Sequence, residues 1–458
     1  MKIDFNVSKH VYFIGIGGIS MSGLAQILLS RGFKVSGSDR APSDLTDQLS
    51  NEGATVYIGQ RSSNISEDID LCVYTAAIHP DNPEYIRCQE LSIPMMTRAE
   101  FLGQLMKNYS DSVAVSGTHG KTTTSAMAGE ILMAASLDPT LSIGGILPSI
   151  NGNIRIGSSD YFLTEACEYT NSFLSFFPKY GIILNVEEDH LDFFKDINDI
   201  RNSFKKFAKL LPDDGLLIIN GAIDNYEELC KDLKCKVVTF GKATTNDYYP
   251  TDLSISEEGY TCYTLNTPSG KTASIKLRVL GEHNVLNSLA SLALADSLGI
   301  DLDTAKSALF NFGGTKRRFE YKGNLKGINI IDDYAHHPTE IKATLTAAKD
   351  YKHENMWVVF QPHTYTRTKA FMDEFAEALS LCENVILADI YAARETDTLG
   401  ISSEDLQKKI QAFGKNCYYF KNFTDIEIFL LQNCIPGDML ITMGAGDVYK
   451  IGENLLGD

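Results

Sequence analysis

The chain has 458 residues, 44% hydrophobic and 22% charged, with a formal net charge of −18. The length exceeds one ordinary core and predicts two to four domains, while the acidity argues against a duplex DNA or RNA partner. No apolar run approaches the ~20 residues of a membrane span, residues 1–9 lack a signal pattern, and nine scattered cysteines without a C-x-x-C predict reduced cytoplasmic thiols and neither a disulfide framework nor a zinc site.

In chain order, residues 11–14 read as a short buried strand, followed by the glycine turn Gly15-Ile16-Gly17-Gly18-Ile19-Ser20 and a helical stretch at 21–30. Residues 32–39 return as a second strand ending in Asp39. This is close to a dinucleotide fingerprint, with Ser20 where the third glycine would stand. Such a turn sets a pyrophosphate on a helix N-terminus, with Asp39 near a ribose or base; it also occurs where a helix merely packs on a strand. Strands at 55–58 and 71–75, alternating with helices, predict a parallel sheet. Arg98 follows a strand end, within reach of a cleft at the sheet's C-terminal edge. A helix over 98–107 and the polar run 108–111 mark a domain junction.

A β-branched run at 113–115 then enters Ser116-Gly117-Thr118-His119-Gly120-Lys121-Thr122-Thr123-Thr124, with a helix-compatible stretch at 125–135. Strand, glycine turn and helix in that order form a phosphate loop. Backbone N–H groups curl around phosphate oxygens, the lysine supplies a point charge, and a hydroxyl at the helix start can ligate Mg²⁺. The spacing is the short G-x-x-G-K-T-T, with Val115 where the first glycine of G-x-x-x-x-G-K-[ST] would stand. Two later strands end at Glu165 and at the cluster Glu187-Glu188-Asp189-His190-Leu191-Asp192. In a parallel sheet these acids reach the same crevice and can meet Mg²⁺-ATP; solvated loop charge is the alternative.

Residues 205–209 are a basic helical face, and 248–274 alternate as antiparallel strands. Asn284 and Asn287 open a helix, where they either cap it or read an adenine edge. A third domain begins near Gly313-Gly314. In Lys316-Arg317-Arg318 the charge is either ordinary surface or an anion clamp. Four apolar strands then discharge polar residues: 328–331 into Asp332-Asp333-Tyr334-Ala335-His336-His337, 356–360 into Gln361-Pro362-His363-Thr364-Tyr365-Thr366-Arg367, 385–388 into Asp389, and 439–443 into Gly444-Ala445-Gly446-Asp447. That is another α/β sheet with its functional edge on one side. His336 and His337 lack a third ligand at metal spacing, so no zinc site is expected.

The ordered motifs G-I-G-G-I-S-M-S-G, G-T-H-G-K-T-T-T, E-E-D-H-L-D, G-E-H-N-x-L-N, K-R-R-F-E, D-D-Y-A-H-H-P-T-E and F-Q-P-H-T-Y-T-R-T resemble the ATP-dependent Mur ligase family of peptidoglycan synthesis, from about residue 12 to residue 455. The last two point to the alanine-adding branch over its siblings. The resemblance implies an α/β fold of three domains. Residues 1–107 would form a Rossmann-like parallel sheet for a UDP-sugar, and 108–314 a P-loop-type ATPase domain with a small antiparallel excursion. Residues 315–458 would form a Rossmann-like domain that takes the amino acid and closes on the others.

The resemblance also assigns roles. Gly15, Gly17, Gly18, Ile19, Ser20, Asp39, Thr75, Ala76 and Arg98 would line the UDP-sugar site. Gly117, Thr118, His119, Gly120, Lys121, Thr122, Thr123, Asn284, Asn287, Arg318 and Asp333 would bind ATP. Thr122, Glu165 and His190 would serve two Mg²⁺ ions in the closed complex. Tyr334, His337, His363 and Arg367 would line the amino-acid site, and Lys121, His190, Arg318 and His363 would carry the chemistry. The implied enzyme is cytoplasmic, a monomer or homodimer without nucleic-acid or membrane partners. It would use ATP to join L-alanine to the lactyl carboxylate of UDP-N-acetylmuramate through an acyl phosphate, with His363 or His337 orienting the amine or accepting its proton.

Two departures stand out: Thr364 where the commoner motif has arginine, and Ala335 where it has glycine. Recognition of the alanine carboxylate would then rest more heavily on Arg367. Several siblings carry a carbamylated lysine, but that register falls near Phe204, with Lys205 one residue off, so none is expected. The competing readings are a ligase adding a tripeptide to the same acceptor, a nucleotide-sugar dehydrogenase and a catalytically dead UDP-sugar sensor. The dehydrogenase leaves Lys121, Glu165 and His190 without a task, and the sensor leaves the whole ATP motif set unused.

Overall fold

The computed structural model describes residues 3–75, 77–257, 259–393 and 395–457. The chain forms two compact units, one of Met1–Val186, Arg201–Thr239 and Ala293–Asp301, the other of Glu187–Ile200, Phe240–Leu292 and Leu302–Asp458.

The first unit carries two sheets. β1 (His10–Ile14), β2 (Lys34–Asp39), β3 (Thr55–Ile58), β4 (Leu71–Tyr74) and β5 (Met95–Thr97) form an all-parallel sheet in the order β3-β2-β1-β4-β5. All of β1 is buried, as expected of a parallel strand covered on both faces. The strand order reverses at β1, so the crevice outside its C-terminal end is the expected ligand position. β6 (Asp111–Ser116), β7 (Thr140–Leu147), β8 (Gly152–Arg155), β9 (Tyr161–Ala166), β10 (Tyr180–Ile183), β11 (Leu216–Asn220) and β12 (Lys236–Phe240) form the second sheet, β12-β11-β10-β6-β9-β7-β8. β6 lies between β10 and β9, parallel to both, and β8 runs antiparallel to β7 at the edge.

The second unit holds an antiparallel sheet of β13 (Tyr249–Ile255), β14 (Thr261–Asn266) and β15 (Thr272–Leu277). It also holds β16 (Glu320–Leu325), β17 (Ile328–Asp333), β18 (Met356–Phe360), β19 (Asn384–Leu387), β20 (Asn416–Tyr419) and β21 (Met439–Met443), in the order β16-β17-β21-β18-β19-β20. Only β16 is antiparallel in this last sheet. Alternate residues of β18 feed two cores, Met356, Val358 and Phe360 on one side, Trp357 and Val359 on the other. Among the described residues no helix is long and apolar enough to cross a membrane.

Candidate functional site

At the end of β1 the chain turns sharply. Gly15 has φ +86°, and the N–H groups of Gly15 and Ile16 both donate to the Ser38 carbonyl, at 2.8 and 2.9 Å. The helix Ile19–Ser30 begins after Gly18, with no side-chain cap. Its first-turn N–H groups suit an anionic ligand. Asp39 turns inward and accepts the Gly17 N–H at 2.9 Å, so it shapes this loop directly. Arg98 Nη1 donates to Ser20 Oγ at 3.1 Å, which gives the serine in the third-glycine position a task and draws Arg98 to the loop. Thr75 Oγ1 accepts the Ala77 N–H at the end of β4. Ala76 lies outside the described residues.

The phosphate loop leaves β6 at Gly117. Gly120, at φ +83°, turns the backbone into the helix Lys121–Ala134, which starts four residues before the stretch read as helical. Lys121, Thr122 and Thr123 therefore occupy its first turn. Lys121 Nζ donates to the carbonyls of Gly117 and Thr118 and to Glu168 Oε2, the last two at 3.1 Å. Burial favours the neutral amine, but the adjacent carboxylate of Glu168 overrides it and holds the ammonium well above its ordinary value. Glu165 Oε2 accepts from Thr122 Oγ1 at 3.2 Å, and its Oε1 accepts from Ser125 Oγ at 3.3 Å and the Gly144 N–H at 2.5 Å. Asn185, just beyond β10, accepts the His119 N–H at 2.7 Å and donates to the His119 carbonyl at 3.1 Å.

In the second unit the polar strand ends of β17 and β18 form a connected cluster. Arg367 donates from Nε and Nη2 to Asp189 Oδ1, at 3.1 and 2.9 Å, and from Nη1 to His363 Nδ1 at 3.2 Å. Asp189 is buried, which alone would raise its carboxyl; Arg367 and the nearby histidines His190, His336 and His337 overcome this and hold it well below the usual range. His190 follows at φ +54°. Because Nδ1 of His363 accepts, the proton of the neutral ring lies on Nε2. The His363 ring stacks on Tyr391 at 5.6 Å. His337 caps the helix Pro338–Ala348, accepting the Thr339 N–H at Nδ1 and reaching the Glu188 carbonyl from Nε2 at 3.1 Å. Facing a carbonyl oxygen, which can only accept, Nε2 donates. Both ring nitrogens of His337 are thus engaged, so this arrangement leaves it no lone pair for the amine proton. His336 is pushed down to about 3, chiefly by burial.

Tyr334 lies under Arg317 and Arg318, its ring 4.8 and 5.2 Å from the two guanidinium carbons. Arg317 is turned into the fold, donating from Nε to Asp332 Oδ2 at 3.1 Å and from Nη2 to the Gly444 and Gly446 carbonyls at 2.7 and 3.1 Å. Besides that ring contact, Arg318 pairs loosely with Glu340, at 3.8 Å. Asp333 accepts the N–H groups of Phe319 and Ala335, at 2.8 and 2.7 Å. Burial pushes its carboxyl up to about 6 against the opposing charge of Arg318. Asn287 donates to Asn284 Oδ1 at 3.0 Å, and Asn284 donates back to the Leu280 carbonyl at 2.6 Å, so the two amides fix each other at the helix start.

Models of the Mur ligase family match three successive segments: the family's catalytic domain at residues 10–110, the middle domain at 115–295 and the glutamate ligase domain at 317–446. The chain belongs to the Mur ligase family. It is 60% identical over 456 residues to a UDP-N-acetylmuramate–L-alanine ligase of Lachnospira eligens, covering 99% of each chain. It is 51% identical over 449 residues to the Clostridium novyi protein of the same name, covering 98% of this chain and 97% of the other. The fold matches the crystal structure of a UDP-N-acetylmuramate–alanine ligase from Thermotoga maritima with a TM-score of 0.82, at 30% identity over 98% of each chain. A murein peptide ligase from Psychrobacter arcticus shares the fold at 24% identity, with a TM-score of 0.72 over 98% of each chain.

Within this Mur ligase fold, the motifs alone assign no individual task to Asn185, Glu168, Asp189 or Arg317. Asn185 and Glu168 carried a faint signal, since both follow strands flanking β6. Asp189 stood inside the acidic run, but nothing there tied it to Arg367, 178 residues away.

Proposed function

We propose that this Mur ligase joins L-alanine to the lactyl carboxylate of UDP-N-acetylmuramate at the expense of ATP, in the cytoplasmic stage of peptidoglycan synthesis. The observation that carries the reading is the 60% identity to an alanine-adding ligase along 99% of both chains. The motif F-Q-P-H-T-Y-T-R-T at the end of β18 supports it. The domains would divide the work as 1–107 for the UDP-sugar, 108–314 for ATP and 315–458 for the amino acid.

A carboxylate is a poor acyl donor because oxide is a poor leaving group. One lactyl oxygen attacks the γ-phosphorus of ATP, ADP departs, and the product is an acyl phosphate. The uncharged amine of L-alanine then attacks the carbonyl carbon. The tetrahedral intermediate gives up the amine proton to solvent or to the departing phosphate and collapses, and inorganic phosphate leaves with the former carboxylate oxygen. Lys121 places a fixed positive charge at the phosphates, and Arg318, less committed than Arg317, is suited to charge developing on the transferring group. The N–H groups of the short glycine loop hold phosphate oxygens. Arg367 and the donor Nε2–H of His363 would address the alanine carboxylate and orient the amine.

Thr122 and Glu165 offer hard oxygen atoms 3.2 Å apart, a donor set that suits Mg²⁺, and His190 would serve a second ion. Bound Mg²⁺ supplies charge that offsets repulsion between the carboxylate and ATP.

Phosphate release with UDP-N-acetylmuramate, ATP and Mg²⁺, offered L-alanine or a tripeptide in turn, tests this reading. Release with L-alanine is expected; release with the tripeptide alone would move the assignment to a peptide-adding ligase. Lys121→Ala is expected to abolish turnover and leave UDP-sugar binding intact in titration calorimetry. Equal loss of both would refute the division of sites.

A further inference from the structure

The turn that carries His363 and Arg367 is strained. Thr364 sits at φ +66°, ψ 145°, a region that glycine enters freely and a β-branched residue does not. Such a backbone persists only where its surroundings impose it. Here the strap that follows β19 does so. The Thr364 N–H donates to the Tyr391 carbonyl at 2.9 Å, and the Tyr391 N–H donates to the Pro362 carbonyl at 2.8 Å. Four residues on, the Glu395 carboxylate collects three donors from the same turn. Its Oε2 accepts the N–H groups of Tyr365 and Thr366, at 2.7 and 3.0 Å, and its Oε1 accepts the Thr366 hydroxyl. Thr368 Oγ1 closes the turn on the Thr364 carbonyl at 2.6 Å. Arg367 lies one residue beyond Thr366, and His363 immediately precedes Thr364, stacked on Tyr391 of the same strap.

We propose that Glu395 is a positioning residue of the amino-acid subsite: it clamps the first turn of the helix Tyr365–Ala370 against the positive-φ residue Thr364 and so aims His363 and Arg367. A carboxylate suits the task because it accepts from several convergent donors at once, and charge-assisted bonds are stronger than neutral ones. Glu395 touches no reacting atom in this scheme. The inference rests on the reading of His363 and Arg367 as the L-alanine side of the site.

The test is steady-state kinetics on the full chain, varying each substrate in turn. Glu395→Ala is expected to raise the KM for L-alanine about tenfold, with the KM values for ATP and UDP-N-acetylmuramate within about twofold of the parent. Glu395→Gln, which keeps acceptor oxygen, is expected to raise it by less than about threefold. Thr364→Gly placed in the Glu395→Ala background is expected to lower the KM for L-alanine at least about threefold, because glycine adopts the positive φ without the strain that the clamp offsets. An unchanged alanine KM in Glu395→Ala, an equal rise in all three KM values, or no recovery on adding Thr364→Gly would each overturn the proposal. Should Glu395→Ala not fold, Thr366→Val removes one of the clamp's donors and is read the same way, against an expected rise of about threefold. Arg367→Ala is run beside these variants. If it leaves the alanine KM unchanged, the subsite assignment itself falls; if it raises that KM and Glu395→Ala does not, only the clamp falls.

Discussion

His336 is held neutral by burial, and that makes its ring a measurable contributor to acid sensitivity. Its folded value, about 3, lies below the ordinary 6.5. Above pH 6.5 the ring is neutral in both folded and unfolded chains and contributes no pH dependence. As pH falls below that, the unfolded chain takes a proton that the folded chain refuses, so stability is lost progressively until pH nears 3. The loss reaches about 2 kcal/mol by pH 5. Urea midpoints at pH 7.5 and pH 5 should show His336→Gln losing less stability on acidification than the parent by about that amount. Parallel pH dependence in the two proteins would contradict the buried neutral ring. Hydrogen-bond partners separate Arg317 from Arg318. The sequence set them side by side as equals, and only the carbonyl and carboxylate partners of Arg317 show which one the fold consumes.

Among the elements, the phosphate loop depends on a neighbour that its own motif does not contain. Asn185 grips His119 through both backbone groups, so Asn185→Ala should raise the KM for ATP roughly tenfold, a cost of about 1.4 kcal/mol, while the KM for UDP-N-acetylmuramate holds. A second element-level dependence is the helix Arg98–Met106. A methyl group at Gly103 would lie 1.9 Å from the Ser175 carbonyl oxygen, a backbone atom with little room to yield. Gly103→Ala is therefore expected to cost about 3 kcal/mol or more, seen as a lowered urea midpoint. Buried strands dominated by apolar residues are legible to the residue, as at β18 and β21. The start of the helix Lys121–Ala134 is hidden in the sequence because Lys-Thr-Thr-Thr favours a loop by propensity; burial of Thr122 and Thr124 and the turn at Gly120 override it. β7 carries a weak strand signal because Gly144 and Gly145 interrupt a half-exposed strand.

For the whole molecule, ordered motifs spread from residue 12 to residue 455 made the family legible, together with the edge of each sheet that bears polar residues. The pairings that aim those residues were not legible. Lys121 meets Glu168 across 47 residues, His119 meets Asn185 across 66, and Arg367 meets Asp189 across 178. Tertiary packing creates these contacts, and no local pattern encodes them. Ligation through an acyl phosphate passes one carboxylate oxygen of the UDP-sugar to phosphate. UDP-N-acetylmuramate labelled with ¹⁸O in its lactyl carboxylate, turned over with ATP, Mg²⁺ and L-alanine, tests it by mass spectrometry of the released phosphate. One ¹⁸O per phosphate is predicted; unlabelled phosphate from productive turnover would contradict it.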